Sequence, residues 1–196
     1  AWKEPYRQKL LVDQARIALA LFEAADVAKD EKLRAAGIGA LDFVLKEMKN
    51  ADGSLAMALD GTLDENADPM KRPKFVRVGQ ASVGVQYFVA EAMFRSKDAT
   101  KIREAHSLVA VLAKVAKLGG YFPHLPGQPD EAPAIAADYL ARSVALRWQK
   151  DTAGIAQTIA NANHFYFDES SGAYMASPAA LPPGIAARVP ASGDTP

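Results

Sequence analysis

Apolar residues return every three or four positions along most of the chain, and six stretches keep that rhythm long enough to predict helices. The first runs from about Arg7 to Val27, with Leu11, Ala15, Ala18, Phe22 and Ala25 on one face. The second runs from about Glu31 to Lys49, with Leu33, Ala36, Ala40, Phe43 and Val44 as its apolar face. The third, about Val78 to Arg95, aligns Ala81, Val85, Phe88, Val89 and Ala92, and the fourth, about Ala99 to Lys117, aligns Ile102, Ala105, Val109, Leu112 and Ala116. The fifth, about Pro133 to Lys150, carries Ile135, Tyr139 and Leu146, and the sixth, about Thr152 to Tyr166, carries Ile155, Ile159, Ala162 and Phe165. No alternating run is long enough to predict a full strand. Short extended pieces are expected only after the glycines.

Breaks separate these stretches. MKNADGS ends the second helix at the turn dipeptide Asp52-Gly53. GTLDENADPMKRPK, residues 61–74, is a polar loop, and KLGGYFPHLPGQPDEAP is rich in Gly and Pro. Residues 1–178 read as one helical domain, and residues 179–196 as a tail rich in Pro, Ala and Gly.

The six helices repeat as three pairs. Gln14-Ala15 opens the first pair and Gly53 follows Gln14 by 39 residues; Gln80-Ala81 opens the second and Gly119 follows Gln80 by 39. Asp138-Tyr139 opens the third, with Gly172 34 residues on. A fixed period of this length points to stacked units, because one hairpin cannot bury both its faces alone. The predicted fold is therefore all-α: three antiparallel hairpins stacked into an arc. FDESSGAYM, which ends the third pair, reads as a repeat turn stopped by Gly172.

Composition narrows the chemistry. Lys+Arg and Asp+Glu both number 23, so the formal charge is zero and no basic stripe suggests nucleic acid. No run of about 18 apolar residues predicts a membrane span. Cysteine is absent, which removes disulfides and thiol chemistry. The chain starts AWKEPY, without methionine or leader, and zero Cys with such a start leans towards a processed, periplasmic or secreted protein, though it fits a cytosolic fragment nearly as well. His106, His124 and His164 lack metal-ligand spacing, so neither a metal nor a cofactor is expected.

Three stretches resemble a known family. ALFEAADVAKDEKLRAAGIGALDFVLKEMKNADGSLAMALDG resembles the helix, "D-x-x-L-x-x-A" linker, helix and "D-G-x-L" turn of the helical-hairpin toroids. ADYLARSVAL resembles their "D-Y" helix and FYFDESSGAYMAS their "F-D-x-x-x-G" turn. These six-hairpin folds include glucosidases, unsaturated glucuronyl hydrolases and N-acylglucosamine 2-epimerases; the likeness is strongest to the helical domain of YyaL-like thioredoxin-domain proteins. The resemblance implies half of an (α/α)6 toroid. No catalytic position of the family can be matched residue by residue.

Gln14, Gln80 and Asp138 stand at equivalent points of the three pairs. If the first helix of each pair lines the inside of the arc, these side chains converge on one rim and could hydrogen-bond a polyhydroxylated ligand. Tyr121 and Tyr139 are expected to face a cleft, with His124 beside them, whereas Phe122, Trp148, Phe165 and Tyr174 are expected in the core. Two functions fit. The first is a non-catalytic binding or scaffold module whose concave face docks a partner protein or a glycan. The alternative is a carbohydrate-active enzyme of epimerase or glycoside hydrolase type, completed by oligomerisation or missing chain. Asp138 is then the acid/base candidate, supported by Tyr139 and His124. Leu10, Ile17 and Leu21 widen the apolar surface of the first helix, so that end of the arc is expected to meet another chain, a second copy or a larger partner.

Overall fold

The computed structural model describes residues 8–62, 74–114, 124 and 134–175. Its helices come in pairs: α1 (Leu11–Ala28) with α2 (Glu31–Phe43), α3 (Val83–Arg95) with α4 (Ala99–Ala113), and α5 (Ala136–Trp148) with α6 (Thr152–Tyr166). A π-helical turn, Val44–Met48, extends α2. Strands β1 (Gln8–Leu10), β2 (Ala56–Thr62) and β3 (Lys74–Gln80) form an antiparallel sheet in that order. After α6, β4 (Phe167–Asp168) pairs with β5 (Ala173–Tyr174) around Gly172, whose φ is +66°.

The helix pairs share one linker chemistry. Each first helix ends at a lysine in the left-handed region: Lys29 (φ 53°), Lys97 (φ 63°) and Lys150 (φ 58°). The next residue is an aspartate that caps the second helix. Asp30 accepts from the Lys32 amide, Asp98 from the Thr100 and Lys101 amides, and Asp151 from the Gly154 amide. The left-handed residue reverses the chain and the carboxylate satisfies amides that the helix start leaves free.

α1 packs on α2 and α3, α3 on α4 and α5, and α5 on α6. The odd-numbered helices therefore form a continuous row, with α3 at its centre and buried on nearly every side. The α1 stripe Leu11, Ala15, Ala18, Phe22 and Ala25 is buried as its spacing predicts. Against it, α2 comes close at Gly37, where a Cβ would lie 2.6 Å from the Phe22 ring. Fully buried Gln86 on α3 accepts from the Leu55 amide and donates to the Ala81 carbonyl, both at 2.9 Å, which ties the sheet to the row.

Several sequence expectations are corrected. The chain is mainly helical but carries two seven-residue strands, and Val78 to Gln80, expected in a helix, belong to β3. The buried face of α2 is Arg34, Gly37 and Leu41, continued by Val44 and Met48, one position away from the expected stripe except at Val44. Trp148 and Tyr174, expected in the core, are 40% and 54% exposed, because they lie at the margin of the third pair; Phe165 is buried. Phe122, Gly119 and the tail at 179–196 lie outside the described residues.

Candidate functional site on the inner face

The row of odd helices borders a cavity of about 580 Å³. Val12 and Arg16 reach it from α1, Val85, Phe88 and Glu91 from α3, and Leu140, Ala141 and Val144 from α5. Ser82, Gly84, His124 and Asp138 line it where α3 and α5 begin.

Asp138 is the third residue of α5, is 2% exposed, and sits between two helix starts. Its Oδ1 accepts from the Gly84 amide in the first turn of α3 at 2.9 Å. Its Oδ2 accepts from the Ile135 amide at 2.9 Å and meets His124 Nδ1 at 2.7 Å. Both helix dipoles favour a negative charge there, and the three polar contacts offset the burial of the carboxylate. The approach depends on Gly84: a Cβ at that position would lie 2.1 Å from Asp138 Oδ1 and 3.0 Å from its Cα.

His124 is held twice. Its carbonyl accepts from the Val83 amide at 2.7 Å, and its ring is held by Asp138. The hydrogen bond to Asp138 pushes the imidazole pKa up; partial burial opposes the rise and the carboxylate charge reinforces it. Glu91, almost buried, is held by Arg95 Nε at 3.0 Å, while Arg16 is largely exposed.

The six residues singled out from sequence have different fates. His124 and Asp138 are brought together. Tyr139 is 1% exposed and packs on Tyr166 with ring centroids 5.4 Å apart, so it is a core residue rather than an open cleft platform. Gln14 is half-buried on α1, two positions from both Val12 and Arg16, and so points to another side of the helix. Gln80 is the last residue of β3, and its Nε2 donates to Ser54 Oγ at 3.0 Å. The three repeat positions therefore do not form one rim. Tyr121 lies outside the described residues. Sequence reasoning missed Gly84, Phe88 and Glu91. The one available signal was a glycine in the first turn of a helix otherwise rich in large residues.

Among the described residues, no group of three or more His, Asp or Glu side chains is arranged to hold a metal. No described helix is long and apolar enough to cross a membrane.

No family model matches this sequence, and no curated protein matches it. Solved structures do. A family 105 glycoside hydrolase from C. acetobutylicum ATCC 824 aligns at 14% identity with a TM-score of 0.65, over 85% of this chain and 51% of that one. The unsaturated glucuronyl hydrolase of Bacillus sp. GL1, described as responsible for glycosaminoglycan degradation, aligns at 10% identity and 0.66, over 87% and 50%. A D-mannose isomerase aligns at 15% identity and 0.67, over 89% and 50%. The fold is that of these toroidal enzymes, and the chain spans about half the length of each. These likenesses overturn the expectation of a non-catalytic docking module, since these three proteins are enzymes named for sugars or their glycosides. The comparisons do not support the thioredoxin-domain likeness.

Proposed function

We propose that this chain is a carbohydrate-active enzyme, or the portion of one that holds its acid/base pair. The observation that carries the reading is the His124–Asp138 pair, 2.7 Å apart at the mouth of the inner-face cavity. A histidine held by a buried carboxylate is suited to moving protons near neutral pH. Phe88 and Leu140 offer apolar surface for a sugar ring, and Ser82, Glu91 and Arg16 offer polar groups nearby. The three matched enzymes make a sugar the first substrate class to test, either as an epimerase or isomerase or as a glycoside hydrolase.

The proposal includes completion of the ring. Leu10 and Ile17 are exposed at the α1 end, and Ile159 and Tyr174 at the α5–α6 end. Further helical hairpins, from a second copy or a longer chain, would cover both.

The test is a turnover screen by proton NMR with free aldoses and ketoses, saturated glycosides and unsaturated uronyl glycosides. Turnover of one class is expected. Asp138→Asn and His124→Ala are each expected to lower the rate by a factor on the order of 10² to 10⁴. No turnover in any class, or turnover indifferent to both substitutions, would remove this reading.

A further inference from the structure

The pair contains two ionisable groups, and their surroundings differ enough to separate their roles. Asp138 is closed off: it is 2% exposed, and its two oxygens already receive the Gly84 amide, the Ile135 amide and the His124 ring. A carboxylate has about four acceptor positions, so little capacity remains, and a ligand would have to displace helix-start amides to reach it. The His124 side chain is 31% exposed and lines the cavity. Its Nδ1 faces the carboxylate, so Nε2, across the ring, is turned away from it. Among the described residues, no hydrogen bond to Nε2 is present.

We infer that His124 is the group that exchanges protons with the substrate and that Asp138 is a positioning residue acting through it. The inference rests on the proposed carbohydrate chemistry for its substrate, and on geometry for the division of roles. An ionised Asp138 accepts from Nδ1–H and so fixes the tautomer that leaves a lone pair on Nε2. Neutral His124 takes a proton from the sugar at Nε2 and becomes an imidazolium. The Asp138 carboxylate, 2.7 Å from the ring, balances that charge. In an isomerisation that proton returns from Nε2 to the neighbouring carbon of the enediol while the hydroxyl proton crosses to the former carbonyl oxygen; in a glycoside hydrolysis the proton comes instead from a water, whose oxygen bonds to the anomeric carbon as the glycosidic C–O bond breaks, and it passes to the leaving oxygen. Among the described residues, the charged groups bordering this cavity are Arg16 on α1, Glu91 on α3 and Asp138 on α5. Glu91 is paired with Arg95, and Arg16 lies beside Asp13 at 3.8 Å. Among the described residues, Asp138 is therefore the carboxylate in contact with the ring.

The experiment has two arms on the same 196-residue chain. The first is an ¹⁵N NMR titration of the His124 ring, which needs no turnover. The wild type is expected to keep Nδ1 protonated across the titration, with a pKa above the ordinary histidine value of about 6.5. Asp138→Asn should lower that pKa and populate the Nε2–H tautomer. The second arm uses whichever sugar the wild type converts. His124→Gln should abolish turnover. Asp138→Asn should lower kcat on the order of 10²-fold or more, with KM little changed, and move the acid limb of the pH–rate profile to lower pH. An Nε2–H tautomer in the wild type overturns the assignment, and so does a titration indifferent to Asp138→Asn. Turnover that survives His124→Gln but not Asp138→Asn would make Asp138 the proton carrier and overturn it as well. If Asp138→Asn does not fold, the wild-type tautomer and the His124→Gln rate still decide. A wild type without turnover removes the functional reading, while the titration arm separately decides whether Asp138 sets the His124 tautomer.

Discussion

Gly84 and Asp138 occupy the same small volume where α3 and α5 begin, and only a hydrogen at Gly84 leaves room for the carboxylate oxygen. Gly84→Ala would put a methyl group 2.1 Å from Oδ1 and 3.0 Å from the Asp138 Cα, so a helix must move as well as a side chain. The expected loss is about 1–3 kcal/mol by urea denaturation, the usual range for overpacking. Unchanged stability would show that α3 and α5 are not packed this closely. His124 gives a second expectation at this scale. Its folded pKa is raised, so its contribution to stability is fully present below the unfolded value of about 6.5 and is lost as pH rises through the folded value. The stability difference between wild type and His124→Gln should therefore shrink across that window. Denaturation series at several pH values check this, and a difference that grows with pH would contradict it. Asp138 itself was legible as a polar residue recurring at a helix start. His124 was legible as its supporting residue, but their direct contact was not, because the 13 residues between them include Pro- and Gly-rich sequence whose path the periodicity does not fix.

Individual elements differ in how plainly the sequence announced them. α6 has the bounds that its pattern predicts, Thr152–Tyr166, with Asp151 as cap. α2 does not show its face, because Arg34 takes a place in the buried seam. Its guanidinium is satisfied by Asp26 and by the Ser96 carbonyl, so a charged residue stands where an apolar one is expected. β2 is hidden for another reason: in AMALDGT Ala56 and Ala58 are buried on one face and Leu59 and Gly61 on the other, which leaves no alternation. The hairpin linkers repeat most closely of all, yet a lysine carries no sequence mark of a positive φ. Two substitutions test the linkers. Lys150→Gly should stabilise the chain by up to about 1 kcal/mol by relieving a left-handed non-glycine residue. Asp98→Ala should destabilise it by about 1 kcal/mol through loss of a cap serving two amides. Thermal melts read both. Opposite signs would show that the linkers do not hold the hairpins as described.

The described residues form a row of three hairpins, the number that the sequence repeat predicts. What it could not give is what lies against the two ends. Three hairpins correspond to half of the matched toroids, and each end of the row exposes apolar side chains. Sedimentation velocity over a range of concentrations should show the wild type associating, and the Ile17→Glu, Ile159→Glu double variant should remain a monomer. A wild type that is monomeric throughout would mean that the ends need no second copy.

The central claim is that the inner face around His124 is where a sugar is bound and converted. Chemical-shift mapping of the full chain with the sugar it turns over tests this most directly. The account predicts the largest perturbations at Val12, Phe88, Glu91, His124 and Ala141, which border one cavity on three helices. Perturbations confined to the outer helices α2 and α4, or to Ile159 and Tyr174 at the α5–α6 end, with His124 unmoved, would contradict it.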